Sequence, residues 1–81
     1  MKKTYYALFK KAKEGGYEVQ FPDVFGGVTC GDDFEDAKRM AEDLLKLMLR
    51  EASGQCQEPS PKEKLQELFP EYQIVEITVE L

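Results

Sequence analysis

The chain has 81 residues, room for one domain, and a composition of 42% hydrophobic and 33% charged residues that suits a folded globular protein rather than a disordered one. Sixteen acids against 11 bases leave a net charge of −5, which argues against a nucleic-acid-binding surface, because neutralising phosphates needs clustered Lys and Arg. Histidine is absent, removing the commonest general base and metal ligand, and no apolar run approaches the roughly 18 residues of a membrane span.

In chain order, Thr4–Lys10 is rich in aromatics and reads as a strand. Lys11 to Gly16 forms a hairpin loop in which Gly15 and Gly16 supply positive φ. Tyr17 to Phe21 alternates strictly, with Tyr17, Val19 and Phe21 on one face and Glu18 and Gln20 on the other. Pro22 and Asp23 stop that strand. Gly26 and Gly27 open a second bend, Val28-Thr29-Cys30 makes a third strand, and Gly31 ends it. Asp32 is a good helix N-cap, with Glu35 three residues later completing a capping box. Phe34, Ala37, Ala41, Leu44, Leu45, Met48 and Ala52 then recur at helical spacing as one apolar stripe. Met40 and Leu47 widen it on one side, available to a later segment or to a second subunit.

Ser53 to Pro59 is a polar connection. Ser60-Pro61-Lys62-Glu63 has the form of a second capping box with Pro at the first helical position, predicting a short helix through Leu65 and Leu68 that closes at Pro70. Residues 73–81 alternate again, with Val75, Ile77, Val79 and Leu81 inward and Glu76, Thr78 and Glu80 outward. The order is β-β-β-α-(α)-β. It predicts an α/β (α+β) two-layer sandwich: a three-strand antiparallel meander, a covering helix, and a last strand parallel to one of the meander's strands after a helical crossover.

Several chemistries can be weighed against this frame. Gly26 to Gly31 has the spacing of the first six positions of a phosphate-binding loop, but Asp32 and Asp33 stand where Lys and Ser/Thr are needed. An EF-hand reading fails because the alternate positions from Asp32 are Phe34, Asp36 and Lys38, with no central Gly. A ribonuclease H-type nuclease needs converging carboxylates, and the first strand carries none between Thr4 and Lys10. No metal or cofactor is expected. Cys30 reads as a buried small strand residue and, with Cys56, as a free thiol. Lys10, Lys11 and Lys13 read as a solvated loop rather than an RNA contact. Tyr5, Phe9, Phe21 and Phe25 read as core rather than a ligand pocket.

Residues 6–49, "YALFKKAKEGGYEVQFPDVFGGVTCGDDFEDAKRMAEDLLKLML", resemble the HicB family of antitoxins. The resemblance rests on the aromatic first strand, Gly15-Gly16-Tyr17, Phe21-Pro22-Asp23, Gly26, Val28-Thr29-x-Gly31-Asp32, and a helix opening with Glu35 and Ala37. Residues 73–81 are similar to that family's last strand. Phe25 stands where Pro is usual, Gly27 where Cys is common, and Asp33 where Thr is common. The resemblance implies a partial ribonuclease H-like fold without catalytic acids, and a partner: a HicA-type toxin, a small basic ribonuclease whose active site the antitoxin covers. It also implies a homo-dimer or higher homo-oligomer. A C-terminal DNA-binding domain is common in the family and none follows Leu81, so a single domain over 1–81 without direct nucleic-acid binding is expected. With no leader and no membrane span, the expected location is the cytoplasm. The partner-facing candidates are the outward acids Glu42, Asp43, Glu76 and Glu80. Gly15, Gly16, Pro22, Gly26, Gly31, Asp32 and Glu35 are assigned to turns and cap. The alternative is a solitary HicB-like adaptor domain with another partner.

Overall fold

The computed structural model describes all 81 residues. Aromatic and β-branched residues give four strands: β1 (Lys2–Lys11), β2 (Tyr17–Gln20), β3 (Val28–Gly31) and β4 (Gln73–Glu80). Between β3 and β4 lie α1 (Phe34–Glu51), a single 3₁₀ turn (Ser53–Gln55) and the short helix α2 (Lys62–Leu68). The strands form one sheet in the order β3-β2-β1-β4. α1 covers one face of it, and its Ala37, Ala41 and Leu45 are wholly buried against Tyr5, Ala7, Phe9, Val19, Val75, Ile77 and Val79. This is the sheet-and-helix sandwich expected from the sequence.

Glycines set how closely α1 can approach. The hairpin between β1 and β2 closes through Ala12 N–H to Gly16 O (3.1 Å), with Gly15 and Gly16 at φ of +98° and +78°. A Cβ on Gly16 would strike the carbonyl oxygen of Gly31, and one on Gly31 would overlap the backbone of Ala37. The first turn of α1 therefore lies directly over the β2–β3 edge. Phe34, its first residue, packs its ring 5.3 Å from Phe9 and 5.8 Å from Tyr17.

β1 is buried on both faces at its centre, since Ala7, Leu8 and Phe9 are all within 1% of full burial. Ala7 and Phe9 face α1, so Leu8 points to the other face. Leu8 and Leu65, the buried residue of α2, both lie outside the main core cluster. α2 and its flank thus shield the second face locally. Consistent with this, Lys10, on the same face as Leu8, places Nζ 5.5 Å from the centre of the Tyr72 ring.

The direction of β4 departs from expectation. It pairs with β1 antiparallel, Lys2 opposite Glu80 through Phe9 opposite Gln73, so all neighbouring strands are antiparallel. The reason is the segment after α1. α1 brings the chain to the end of the sheet where the β2–β3 bend lies. There Phe25 N–H donates to Gln55 O (2.8 Å), Gln57 N–H donates to Asp23 O (2.8 Å), and Val24 and Cys56 form an antiparallel bridge. Tyr5 Oη donates to Gln57 O (2.6 Å). Asp23 is buried, and its carboxylate accepts Ser60 N–H (2.8 Å) and Ser60 Oγ–H (2.9 Å). The chain is strapped at that end until Ser60. α2 then carries it back along the sheet, so β4 starts beside Phe9 and runs the other way. Two traverses between β3 and β4, rather than one, reverse the last strand.

Both helix starts differ in detail. The N-cap of α1 is Asp33, not Asp32: its side chain accepts Asp36 N–H (2.8 Å), and the Asp36 carboxylate, in place of Glu35, accepts Asp32 N–H (2.9 Å). Asp32/Glu35 and Asp33/Asp36 are two acid pairs with the same spacing, and the extended backbone of Asp33 (φ −146°) selects the second. α2 starts one residue later than expected: Pro61 sits at the N-cap position, where it has no side-chain acceptor, and the Ser60 hydroxyl donates to Asp23 instead. Cys30 is exposed rather than buried: it lies opposite Glu18, on the face away from α1. Phe25 (77% exposed) and Leu81 (39%) are likewise outside the core.

Three expectations follow. Asp23→Ala, which leaves Ser60 N–H and Oγ–H without their acceptor, lowers unfolding free energy in urea by about 2–3 kcal/mol, and Ser60→Ala by about 1 kcal/mol; a near-neutral Asp23→Ala contradicts the strap. Asp33→Ala costs about 1 kcal/mol, while Asp32→Ala and Glu35→Ala are close to neutral. The Asp32 N–H, and then Arg39, hold the Asp36 carboxyl below the ordinary aspartate range. Its contribution is complete above the unfolded aspartate pKa and is lost as pH falls through the depressed folded value. Acid unfolding of Asp36→Asn should therefore lack that component.

Candidate functional site

α1 carries polar side chains on the flank that faces β4. Helical spacing from the buried Ala41 and Leu45 puts Glu42 and Lys46 there, with Asp43 on the solvent-facing side. β4 lies at the sheet's edge and alternates, burying Val75, Ile77 and Val79 and exposing Glu76, Thr78 and Glu80. A shallow groove between the two elements is lined by Glu42, Asp43, Lys46, Thr78, Val79 and Glu80. Three of the four acids singled out from the sequence thus line it from two elements, Glu80 from the end of β4, where its side chain alternates to the same sheet face as Glu76. Glu76 lies outside the groove, opposite Tyr6 on the sheet face away from α1. Glu80 lies 2.9 Å from the terminal amino group of Met1, an exposed ion pair of small energetic weight. Thr78 Oγ1 meets Thr4 Oγ1 at 2.8 Å across the strands.

The remaining charged surface is mixed in sign. Glu35, Asp36, Lys38, Arg39 and Glu42 line an open, solvated concavity on α1, where Asp36 pairs with Arg39. Lys10, Lys11 and Lys13 share theirs with Glu14 and Glu18, so the basic loop carries its own counter-charges. Gly15, Gly26 and Pro22 sit at turns, and Gly16 and Gly31 at close approaches of the backbone. No three His, Cys, Asp or Glu side chains are grouped to hold a metal ion. Cys56 is half-buried with Sγ 3.8 Å from Ala52 O, and burial pushes its thiol pKa up. Burial first, with Cys56, Glu58 and Asp23 adding to it, does the same for the Tyr5 hydroxyl. Neither shift activates a nucleophile.

Asp23 is the residue whose importance the sequence hides. In the sequence it reads as a strand terminator. Its one signal is an acid set between Phe21 and Val24, both buried. What this arrangement offers chemically is attraction for a cationic surface along the α1–β4 edge.

No protein-family model matches the chain, and no curated protein matches it by sequence. Among solved structures, it is similar to a chain of a toxin–antitoxin complex from Streptococcus pneumoniae, with a TM-score of 0.79 and 25% identity over 99% of this chain and 70% of that one. It is also similar in fold to a chain of the HicA3 and HicB3 toxin–antitoxin complex, with a TM-score of 0.69 and 20% identity over 96% of each. The likeness to HicB-like antitoxins carried by residues 6–49 therefore extends to the fold of almost the whole chain. No helix is long and apolar enough to cross a membrane.

Proposed function

We propose that the chain is a non-catalytic, HicB-like antitoxin that neutralises a HicA-type mRNA interferase by covering its active site. The observation that carries this reading is the match over 99% of the chain to a protein of a toxin–antitoxin complex. Physical chemistry supports it. A net charge of −5 with acids gathered at one edge suits a small basic partner, whose encounter is accelerated by the opposing fields. Glu42, Asp43 and Glu80 are the proposed contacts in the groove, and Glu76 extends the contact along β4. The role needs only this one domain, needs no cofactor, and involves no nucleic acid bound by the chain itself. Its place is the cytoplasm, where messenger RNA is cut. A homo-dimer fits the same reading. The flank of α1 away from β4 carries Leu47, 55% exposed, beside Met40, and self-association there leaves the acidic edge free.

The test is co-expression of the untagged chain with the tagged product of the neighbouring small open reading frame, at moderate salt. The expected result is a stoichiometric complex, with the free chain a dimer by light scattering. Glu42→Lys with Asp43→Lys should weaken the complex about tenfold or more, while Glu35→Lys, outside the groove, leaves it intact. Failure to co-purify would leave the alternative of an adaptor domain with a different partner.

A further inference from the structure

The outer edge of β4 has an unused set of backbone hydrogen-bonding groups. Leu81 N–H donates to Met1 O (2.8 Å), and the register pairs Lys3 with Val79, Tyr5 with Ile77, Ala7 with Val75 and Phe9 with Gln73. In an antiparallel ladder, hydrogen-bonded pairs alternate with non-bonded ones. Val79, Ile77, Val75 and Gln73 therefore bond to β1. The N–H and C=O groups of Ile74, Glu76, Thr78 and Glu80 point away from it, past the last strand of the sheet. None of them has a backbone partner elsewhere in the chain.

We propose that this edge takes up an extended, Lys- or Arg-rich segment of the protein partner as a fifth strand. This rests on the antitoxin reading above and states how the two chains join. The edge spans about seven residues, enough for one short added strand. Such a strand meets acids on both of its faces. Its side chains on one face reach Glu42 and Asp43 on α1, with Lys46 between them in the groove; those on the other reach Glu76, which has no ion pair, and Glu80, which is paired with the Met1 amino group and lies opposite Lys2.

A second copy of this chain is the poorer occupant. If two β4 edges met across a twofold axis, one register sets Glu76 directly opposite Glu76. Another sets Glu76 opposite Glu80. The third places each Glu76 diagonal to both glutamates of the second copy. Like charges at these positions are destabilising, β4 carries no lysine, and the only cations beside the pair are the Met1 amino group and Lys2 at Glu80. A basic strand satisfies the same positions in any of the three registers.

The experiment is residue-resolved amide hydrogen exchange on the full chain, free and bound to the tagged product of the neighbouring small open reading frame. Strand addition predicts an alternating pattern. The amides of Ile74, Glu76, Thr78 and Glu80 exchange fast in the free chain and slow at least about tenfold in the complex, as one added hydrogen bond each requires. Those of Val75, Ile77 and Val79 are already slow and change little. Thr78→Pro removes an outward N–H and the hydroxyl contact to Thr4 but no β1–β4 backbone hydrogen bond, and should weaken the complex about tenfold. A complex without the alternating protection, or one in which a folded Thr78→Pro binds as the parent does, overturns strand addition and leaves the antitoxin reading standing. Absence of any complex overturns both. If Thr78→Pro does not fold, the exchange pattern of the parent chain decides alone.

Discussion

The carboxylate of Asp23 ties the bend after the second strand to the segment that follows α1. It follows the second strand at the bend, is buried, and accepts both the backbone N–H and the hydroxyl of Ser60. A buried carboxylate without such donors would be costly, so the segment from Ala52 to Ser60 and the bend around Asp23 require each other. The bonds from Phe25 to Gln55, Gln57 to Asp23 and Tyr5 to Gln57 lie along the same seam. The β1–β4 ladder joins the two ends of the chain, and the seam fixes where the chain must be when it leaves α1 and starts α2.

From that constraint follows the arrangement on which the proposed function rests. Because the chain is held at the bend until Ser60, α2 must carry it back before β4 begins, and β4 runs antiparallel to β1. Glu80 therefore ends near the flank of α1 where Glu42 and Asp43 project. A parallel last strand would have carried Glu80 to the opposite end of the sheet, beside the basic hairpin loop of Lys10, Lys11 and Lys13. The acidic edge is thus a product of topology as much as of composition. It joins an unpaired strand to a concentration of negative charge, a combination suited to a cationic protein surface and unsuited to a copy of itself.

Much of the fold was legible in the sequence because it rests on local signals. Strict alternation marked β2 and β4, the spacing of Phe34, Ala37, Ala41 and Leu45 marked α1, and the glycines marked the bends. What was not legible depended on contacts between distant residues. Ser60 has the form of a helix cap, yet the helix starts one residue later, after Pro61, and the Ser60 hydroxyl bonds to Asp23, far away in sequence. The strand direction failed for the same reason. The cap of α1 was misplaced by one residue because two acid pairs with identical spacing overlap, and backbone geometry alone separates them. Cys30 looked buried because a strand's alternation does not say which face a helix will cover. Of the candidate site, the acids were named correctly as outward-facing on α1 and β4, while the meeting of Glu42, Asp43 and Glu80 waited on the direction of β4.

The most direct measurement is a titration of RNA cleavage. The product of the neighbouring small open reading frame would be incubated with messenger RNA while this chain is added in increasing amounts, without metal supplement. The account predicts that cleavage falls in proportion to the chain added and stops at a fixed stoichiometry, with the chain alone cutting nothing. Cleavage that continues undiminished at excess chain, or that the chain performs by itself, would contradict it.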